Sequence, residues 1–150
     1  MRKSKFIKAY KQFREPIYRF VYFKVSSKEI AEDLAAEAFL KTWQFCQNNK
    51  IKNIRALLYK IARDLVVDYY RRQKPIALEN QELCFIEDKS HLDLEKALSQ
   101  LSENERDAIL LYYFEGFSHQ EIAQIMNKQE GTIRNLALRA RKKIYDKLAI

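Results

Sequence analysis

Two glycines and two prolines in 150 residues leave this chain poor in the residues that close tight turns. Sheet folds rely on them at hairpins and corners, so their scarcity argues against a β architecture. The two cysteines, Cys46 and Cys84, form no CxxC pair and have no histidine nearby. Neither a disulfide framework nor metal-ligand spacing is present, and both thiols are expected free in a reducing cytoplasm. No apolar run approaches the ~18–20 residues that span a bilayer. The opening MRKSKFIKAYKQF lacks the apolar stretch of a secretory signal. Paired carboxylates, a nucleophile with its base and a Gly-rich phosphate loop are also missing. The expectation is a non-enzyme without cofactor or metal. His91 and His119 stand alone and are expected as solvent-exposed bystanders.

Helical periodicity is what the chain has. From about Lys5 to Val25, Phe6, Ile7, Tyr10, Phe13, Ile17, Phe20 and Val21 recur at helical spacing. Pro16 predicts a kink or a break there. Ser26 and Glu29 read as a capping box ahead of a helix over Ala31–Phe45. Gln47–Asn53 is polar and reads as a loop. Ile54–Gln73 is a further helix with Leu57, Leu58, Ile61, Ala62, Leu65 and Val66 on its apolar face, ended by Pro75. Residues 75–92 lack clean periodicity. Leu92–Leu101 opens a second module, and Ser102–Glu105 and Ser118–Glu121 are two more capping boxes. The fold class is all-α: two small helical domains, 1–74 and 93–150, joined by a linker over 75–92.

Charge follows the same division. The net charge is +8. Residues 1–74 hold 18 Lys and Arg against 7 Asp and Glu, 75–105 hold 2 against 8, and 106–150 hold 8 against 5. Two basic blocks flank an acidic connector. Basic blocks suit nucleic acid or an anionic membrane surface; the connector would be repelled by DNA.

Three helical patterns stand close together at the C-terminal end: Glu103–Glu115, Ser118–Met126 and about Glu130–Leu148. The last two are joined by the tight turn Asn127-Lys128-Gln129. This is the layout of a helix-turn-helix, whose second helix enters the DNA major groove. At about 100° per residue, Ile133 centres the buried face of the third helix, with Ala137, Ala140 and Ile144 close by and Leu148 near its edge. Arg134, Asn135, Leu138 and Lys142 fall on the far side, flanked by Arg139 and Arg141. Arg suits a guanine edge, Asn an adenine edge, and an apolar side chain a thymine methyl. The remaining cations suit phosphates. Asn127 stands where a left-handed backbone is needed, which Asn tolerates. Gly131 and Thr132 leave room for a phosphate near the helix start. The plain alternative is a solvated basic helix that closes a bundle.

In the N-terminal half, Asp33, Glu37, Leu40 and Lys41 share a face of the second helix, beside a stripe of Leu34 and Ala38. An acidic patch in a basic domain should meet a protein rather than DNA. Lys60, Arg63, Arg71 and Lys74 gather opposite Leu57, Ile61 and Leu65, a stripe that suits a DNA backbone. Asn48, Asn49, Lys50, Lys52 and Asn53 are short or cationic donors able to hold an extruded base by its polar edge. An ordinary solvated face is the alternative for the stripe. Trp43, Phe45 and Tyr59 are expected in the core.

Two blocks in order, AEDLAAEAFLKTW with ALLYKIARDLVVDYYRRQK, then ERDAILLYYFEGFSHQEIAQIM with EGTIRNLALRARKKI, give the chain a family resemblance. It resembles the bacterial extracytoplasmic-function sigma factors of RNA polymerase, of the sigma-70 family, over nearly its whole length apart from the linker. The resemblance implies that Asp33, Leu34, Glu37, Phe39 and Leu40 dock on the clamp helices of the largest polymerase subunit. It implies that Asn48, Asn49, Lys50, Lys52, Asn53, Lys60, Arg63, Arg71, Arg72 and Lys74 meet the −10 promoter region. Thr132, Arg134, Asn135, Leu138, Arg139, Arg141 and Lys142 would read the −35 element, and the linker would thread toward the active-site and RNA-exit path. Implied partners are core RNA polymerase, including the flap of its second-largest subunit, promoter DNA and an anti-sigma factor.

Some positions depart from the family pattern. Ala36 stands where Gln is usual, Asp64 where Asn is usual, and Asn127 where Gly is frequent. Leu136 and Leu138 replace polar or basic side chains. Asp64 either points away from DNA or alters the −10 preference. Two other readings stay open: a helix-turn-helix regulator that never enters the polymerase, and an interaction protein whose N-terminal Lys3, Lys5, Lys8 and Lys11 rest on a membrane.

Overall fold

The computed structural model describes residues 3–77 and 89–148, with side chains over 3–72 and 94–147. All regular structure among the described residues is helical. The chain divides into two compact units, Met1–Cys84 and Phe85–Ile150.

The first unit packs three helices on one another: α1 (Lys3–Val25), α2 (Lys28–Asn48) and α3 (Ile54–Ala77). Its core is Ala9, Ile17, Phe20 and Val21 from α1, Ala31, Leu34, Ala35, Ala38, Phe39 and Cys46 from α2, and Leu58, Tyr59, Ala62, Leu65 and Val66 from α3. The core of α3 is thus turned from the predicted face: Leu57 and Ile61 sit half-buried at its edge. Burial pushes the Cys46 thiol up from its ordinary range.

α1 runs as one helix through Pro16, where the sequence predicts a kink or break. The ring removes the N–H that would reach the Gln12 carbonyl. Gln12 is exposed, so water is within reach of that carbonyl. Buried Ala9 before it and Ile17, Phe20 and Val21 after it keep both halves in the core. Likewise α3 continues through Pro75 to Ala77. Proline's fixed φ is helical, and so near the end of α3 it forfeits a single bond.

The start of α2 corrects the predicted capping box by one residue. Ser26 takes a left-handed backbone, φ +55°, and its N–H bonds the Tyr22 carbonyl at 2.8 Å, closing α1. Ser27 is the cap, its hydroxyl accepting from the Ile30 N–H at 3.4 Å. Ile30 has no acceptor to return, so no reciprocal box forms. At the far end the Tyr70 hydroxyl donates to the Lys24 carbonyl and ties α3 to the end of α1.

Of the three aromatics expected inside, Tyr59 is fully buried with its ring edge-to-face on Phe20 at 5.2 Å. Trp43 is half-buried against Phe6 at 4.9 Å. Phe45 is a correction: it is 44% exposed, because the C-terminal part of α2 buries Thr42 and Cys46 instead.

The second unit runs α4 (Lys89–Ser99), α5 (Glu103–Ile109), a π segment (Leu110–Phe114), α6 (His119–Met126) and α7 (Glu130–Leu148). Both predicted capping boxes form here. The Ser102 N–H donates to Glu105 Oε1 at 2.9 Å and the Glu105 N–H to Ser102 Oγ at 3.2 Å. Ser118 and Glu121 repeat this at 3.0 and 3.1 Å. The helix predicted over Glu103–Glu115 changes its winding at Leu110, where the Glu115 N–H reaches back to the Leu110 carbonyl at 3.0 Å. Leu110 and Leu111 are buried by this wider turn, and Tyr113 and Phe114 are exposed. Gly116 closes it at φ +76°, a backbone glycine adopts without strain.

Helix covers 75–77 and 89–92, both inside the predicted linker. The acidic stretch 78–88, with Cys84, lies outside the described residues, as do the side chains of Lys74, His91 and Leu148.

Candidate functional site

α6 and α7 pack together around Ile122, Ile125, Met126, Ile133, Ala137 and Ala140, all buried. The corner between them is Asn127, left-handed at φ 55° and ψ 51°, as the sequence predicts. The Lys128 N–H closes the corner on the Ala123 carbonyl at 2.9 Å. This geometry turns the opposite face of α7 outward: Thr132, Arg134, Asn135, Leu138, Arg139, Arg141 and Lys142 are all exposed. Leu136, which departs from the family pattern beside Leu138, is 8% exposed and belongs to the core, whereas Leu138 is 61% exposed. Ile144, predicted close to the buried centre, is only half-buried. An outward face of mixed cations, one amide and one bare leucine offers phosphate contacts and base-edge contacts together.

Three of the α7 cations already have partners. Arg134 Nη2 meets Glu130 Oε1 at 2.7 Å on the surface. Lys143 Nζ meets Glu105 Oε1 at 2.8 Å, joining α7 to the start of α5. Arg139 Nε lies back on the Asn135 carbonyl at 3.4 Å. Glu130 escaped sequence reasoning as a site residue, although its i,i+4 spacing to Arg134 was there to read.

His119, expected as an exposed bystander, is half-buried and stacks on Tyr112, the rings 4.3 Å apart and 2° from parallel. The π turn brings Tyr112 there, which helical spacing alone does not foresee.

In the first unit the two predicted groups meet the surface unequally. On α3, Lys60, Arg71 and Arg72 are exposed and Arg63 is half-buried. Asp64 is exposed too, and helical spacing sets it between Lys60 and Arg71, so it does not point away from the basic stripe. The connection between α2 and α3 is shorter than predicted, because α2 runs to Asn48. Asn48, Asn49, Lys50, Lys52 and Asn53 are all exposed, but two of the asparagines serve the backbone. Asn49 Nδ2 donates to the Phe45 carbonyl at 2.9 Å. Asn53 Oδ1 accepts from the Ala56 N–H at 3.1 Å, capping α3. Lys50, Lys52 and Asn48 are the side chains of this group best placed to take a ligand.

On α2, Asp33, Glu37 and Leu40 face outward, Leu40 at 55% exposure. Leu34 and Phe39 of the same predicted set lie less open. Both are buried, and the Phe39 ring is 4.9 Å from Tyr10 and 6.5 Å from Phe6. Lys41 lies 3.7 Å from Glu37 and offsets part of its charge.

No group of three or more His, Cys, Asp or Glu able to hold a metal ion occurs among the described residues. No helix among them is long and apolar enough to cross a membrane.

Comparison with known proteins gives a consistent result. Residues 9–76 match the family model described as Sigma-70 region 2, and residues 83–144 match Sigma-70, region 4. The ECF RNA polymerase sigma factor SigM of Bacillus subtilis is 25% identical over 146 residues, covering 90% of each chain. The ECF RNA polymerase sigma factor BldN of Streptomyces coelicolor is 29% identical over 153 residues, 90% of this chain and 57% of its own. The chain therefore spans nearly all of one relative and little over half of the other. Among solved structures, the sigma factor RpoE in complex with the anti-sigma factor NepR from Bartonella quintana superposes with a TM-score of 0.83 at 25% identity, covering 97% of this chain and 98% of that one. CnrH, solved with the cytosolic domain of CnrY, shares the fold with a TM-score of 0.78 at 18% identity, covering 99% and 90%.

Proposed function

The chain belongs to the sigma-70 family, and we propose that it is an alternative sigma factor that binds core RNA polymerase in the cytoplasm and directs it to a restricted set of promoters. The observation that carries this reading is α7. Its buried face is locked onto α6, and its entire opposite face is left exposed with four cations and a reading amide.

In this reading 93–150 reads the −35 element through α7. Arg134, Asn135 and Leu138 meet base edges, and Thr132, Arg139, Arg141 and Lys142 hold backbone. Residues 1–74 hold the −10 region. Lys60, Arg63, Arg71, Arg72 and Lys74 track the phosphates, and the Asn48–Asn53 segment captures a freed base. Opening duplex costs ~1.4 kcal/mol per stacked step, so the opened strand must be caught to stay open. Asp33, Glu37 and Leu40 dock on the clamp helices of the largest subunit, and the second unit meets the flap of the second-largest. The linker, 75–92, is acidic and follows the path of nucleic acid rather than the DNA surface. The polymerase supplies the chemistry. Because RpoE is held by an anti-sigma factor, a protein partner that masks the same surfaces is part of the proposal.

The test is transcription in vitro with purified core enzyme on genomic fragments, mapping the start sites. Initiation at a discrete set of sites sharing −35 and −10 sequences supports the reading. Failure to co-migrate with core, with DNA protected by the protein alone, would leave a helix-turn-helix regulator instead.

A further inference from the structure

Glu130 opens α7, and its Oε1 lies 2.7 Å from Nη2 of Arg134 one turn on, with the two side chains 45% and 58% exposed. An exposed i,i+4 pair adds little to stability, so its consequence lies in what it does to Arg134. A guanidinium carries five N–H donors in a rigid fork. Glu130 engages Nη2 and draws the fork back toward the start of the helix, where helix-turn-helix proteins place their base contacts. The donors left over suffice for a bidentate grip on a guanine edge.

Further along the same helix stand Arg139, Arg141 and Lys142, all exposed. They attract phosphate from any sequence. A free arginine among them would do the same. A carboxylate beside Arg134 opposes that, because it repels phosphate while it tolerates a base edge. Cytosine even offers it an amino donor.

We propose that Glu130 is a specificity-determining residue of α7: it holds the Arg134 guanidinium toward a base edge and keeps it off the DNA backbone. The proposal rests on the −35 reading given above.

The experiment uses the full chain assembled with core polymerase and two probes. One is a duplex library randomised over the −35 segment, and the other a duplex of arbitrary sequence. Glu130→Gln is compared with Asp146→Asn, which removes the same charge from the exposed end of the same helix without touching Arg134. Glu130→Gln is expected to tighten binding to the arbitrary duplex and to flatten base preference at one position. The ratio of selected to arbitrary binding should fall about fivefold or more. Arg134→Ala should flatten that same position, and adding Glu130→Gln to it should flatten nothing further. Asp146→Asn should raise both affinities alike and leave the ratio intact. A wild-type preference that survives Glu130→Gln, or a change indistinguishable from that of Asp146→Asn, overturns the proposal alone. A wild-type protein with no preference over the −35 segment overturns the −35 reading along with it.

Discussion

Glu105 and Lys143 meet at 2.8 Å, and the oxygen they share also accepts the Ser102 N–H at 2.9 Å. One carboxylate therefore completes the cap of α5 and anchors α7, the helix with the exposed cationic face. Burial pushes this carboxyl up, but the bonds from Lys143 and Ser102 outweigh it and hold the group below the usual carboxylate range. Lys143 is half-exposed, so the pair is worth less than a fully buried one.

A depressed carboxyl contributes stability that is full above its unfolded value, near pH 4.3, and is lost as pH falls through the folded value. Glu105→Gln should lower the stability of the second unit by about 1 kcal/mol at neutral pH. It should also flatten the acid side of the stability profile. Thermal unfolding of the full chain followed by circular dichroism across a pH series measures both.

Gly131 occupies the second position of α7, and a Cβ built there meets nothing within 4 Å. Its backbone is helical, so neither packing nor backbone geometry requires glycine. Gly131→Ala should stabilise the fold by about 0.5–1 kcal/mol. If DNA backbone approaches this turn, the same change should weaken promoter binding. Melting and footprinting together decide it; a variant that is more stable and binds equally well would show that no such approach occurs.

The exposed acids of α2 should carry the polymerase contact through charge. Reversing Asp33 and Glu37 together to Lys is expected to weaken core binding by about tenfold, mostly through slower association, with unchanged melting. Because Lys41 sits 3.7 Å from Glu37, reversal at Asp33 alone should cost more than at Glu37 alone. Surface-plasmon measurement with core enzyme gives the rates.

Asp64 is a carboxylate exposed within a basic stripe. Asp64→Asn should tighten binding to duplex and opened −10 DNA by about two- to fivefold and steepen its salt dependence. A titration of holoenzyme on a pre-melted promoter fragment at several salt concentrations is the check. An unchanged salt slope would place Asp64 away from the DNA path.

Much of the second unit was legible in the residues alone. The bounds of α7, both capping boxes and the left-handed Asn127 rest on signals that act within about four residues: a hydroxyl and a carboxylate at fixed spacing, or a side chain that tolerates φ above zero. Where a signal could be satisfied by either of two adjacent residues, sequence was not enough. Ser26 and Ser27 are both competent caps, and the choice fell to Ser27 once Ser26 was used to end α1.

The residues by themselves determined that this chain is helical, that its cations and acids lie in separate blocks, and that a helix-turn-helix ends it, because periodicity and capping are local properties of the chain. Tertiary structure alone decided which flank of each helix is covered. It put Leu136, Leu34 and Phe39 inside and left Phe45 outside. It also committed Lys143 to Glu105. The physical reason is that an apolar stripe says only that something must cover it; the angle at which the neighbouring helix arrives selects which edge is sealed and which polar groups find partners within reach.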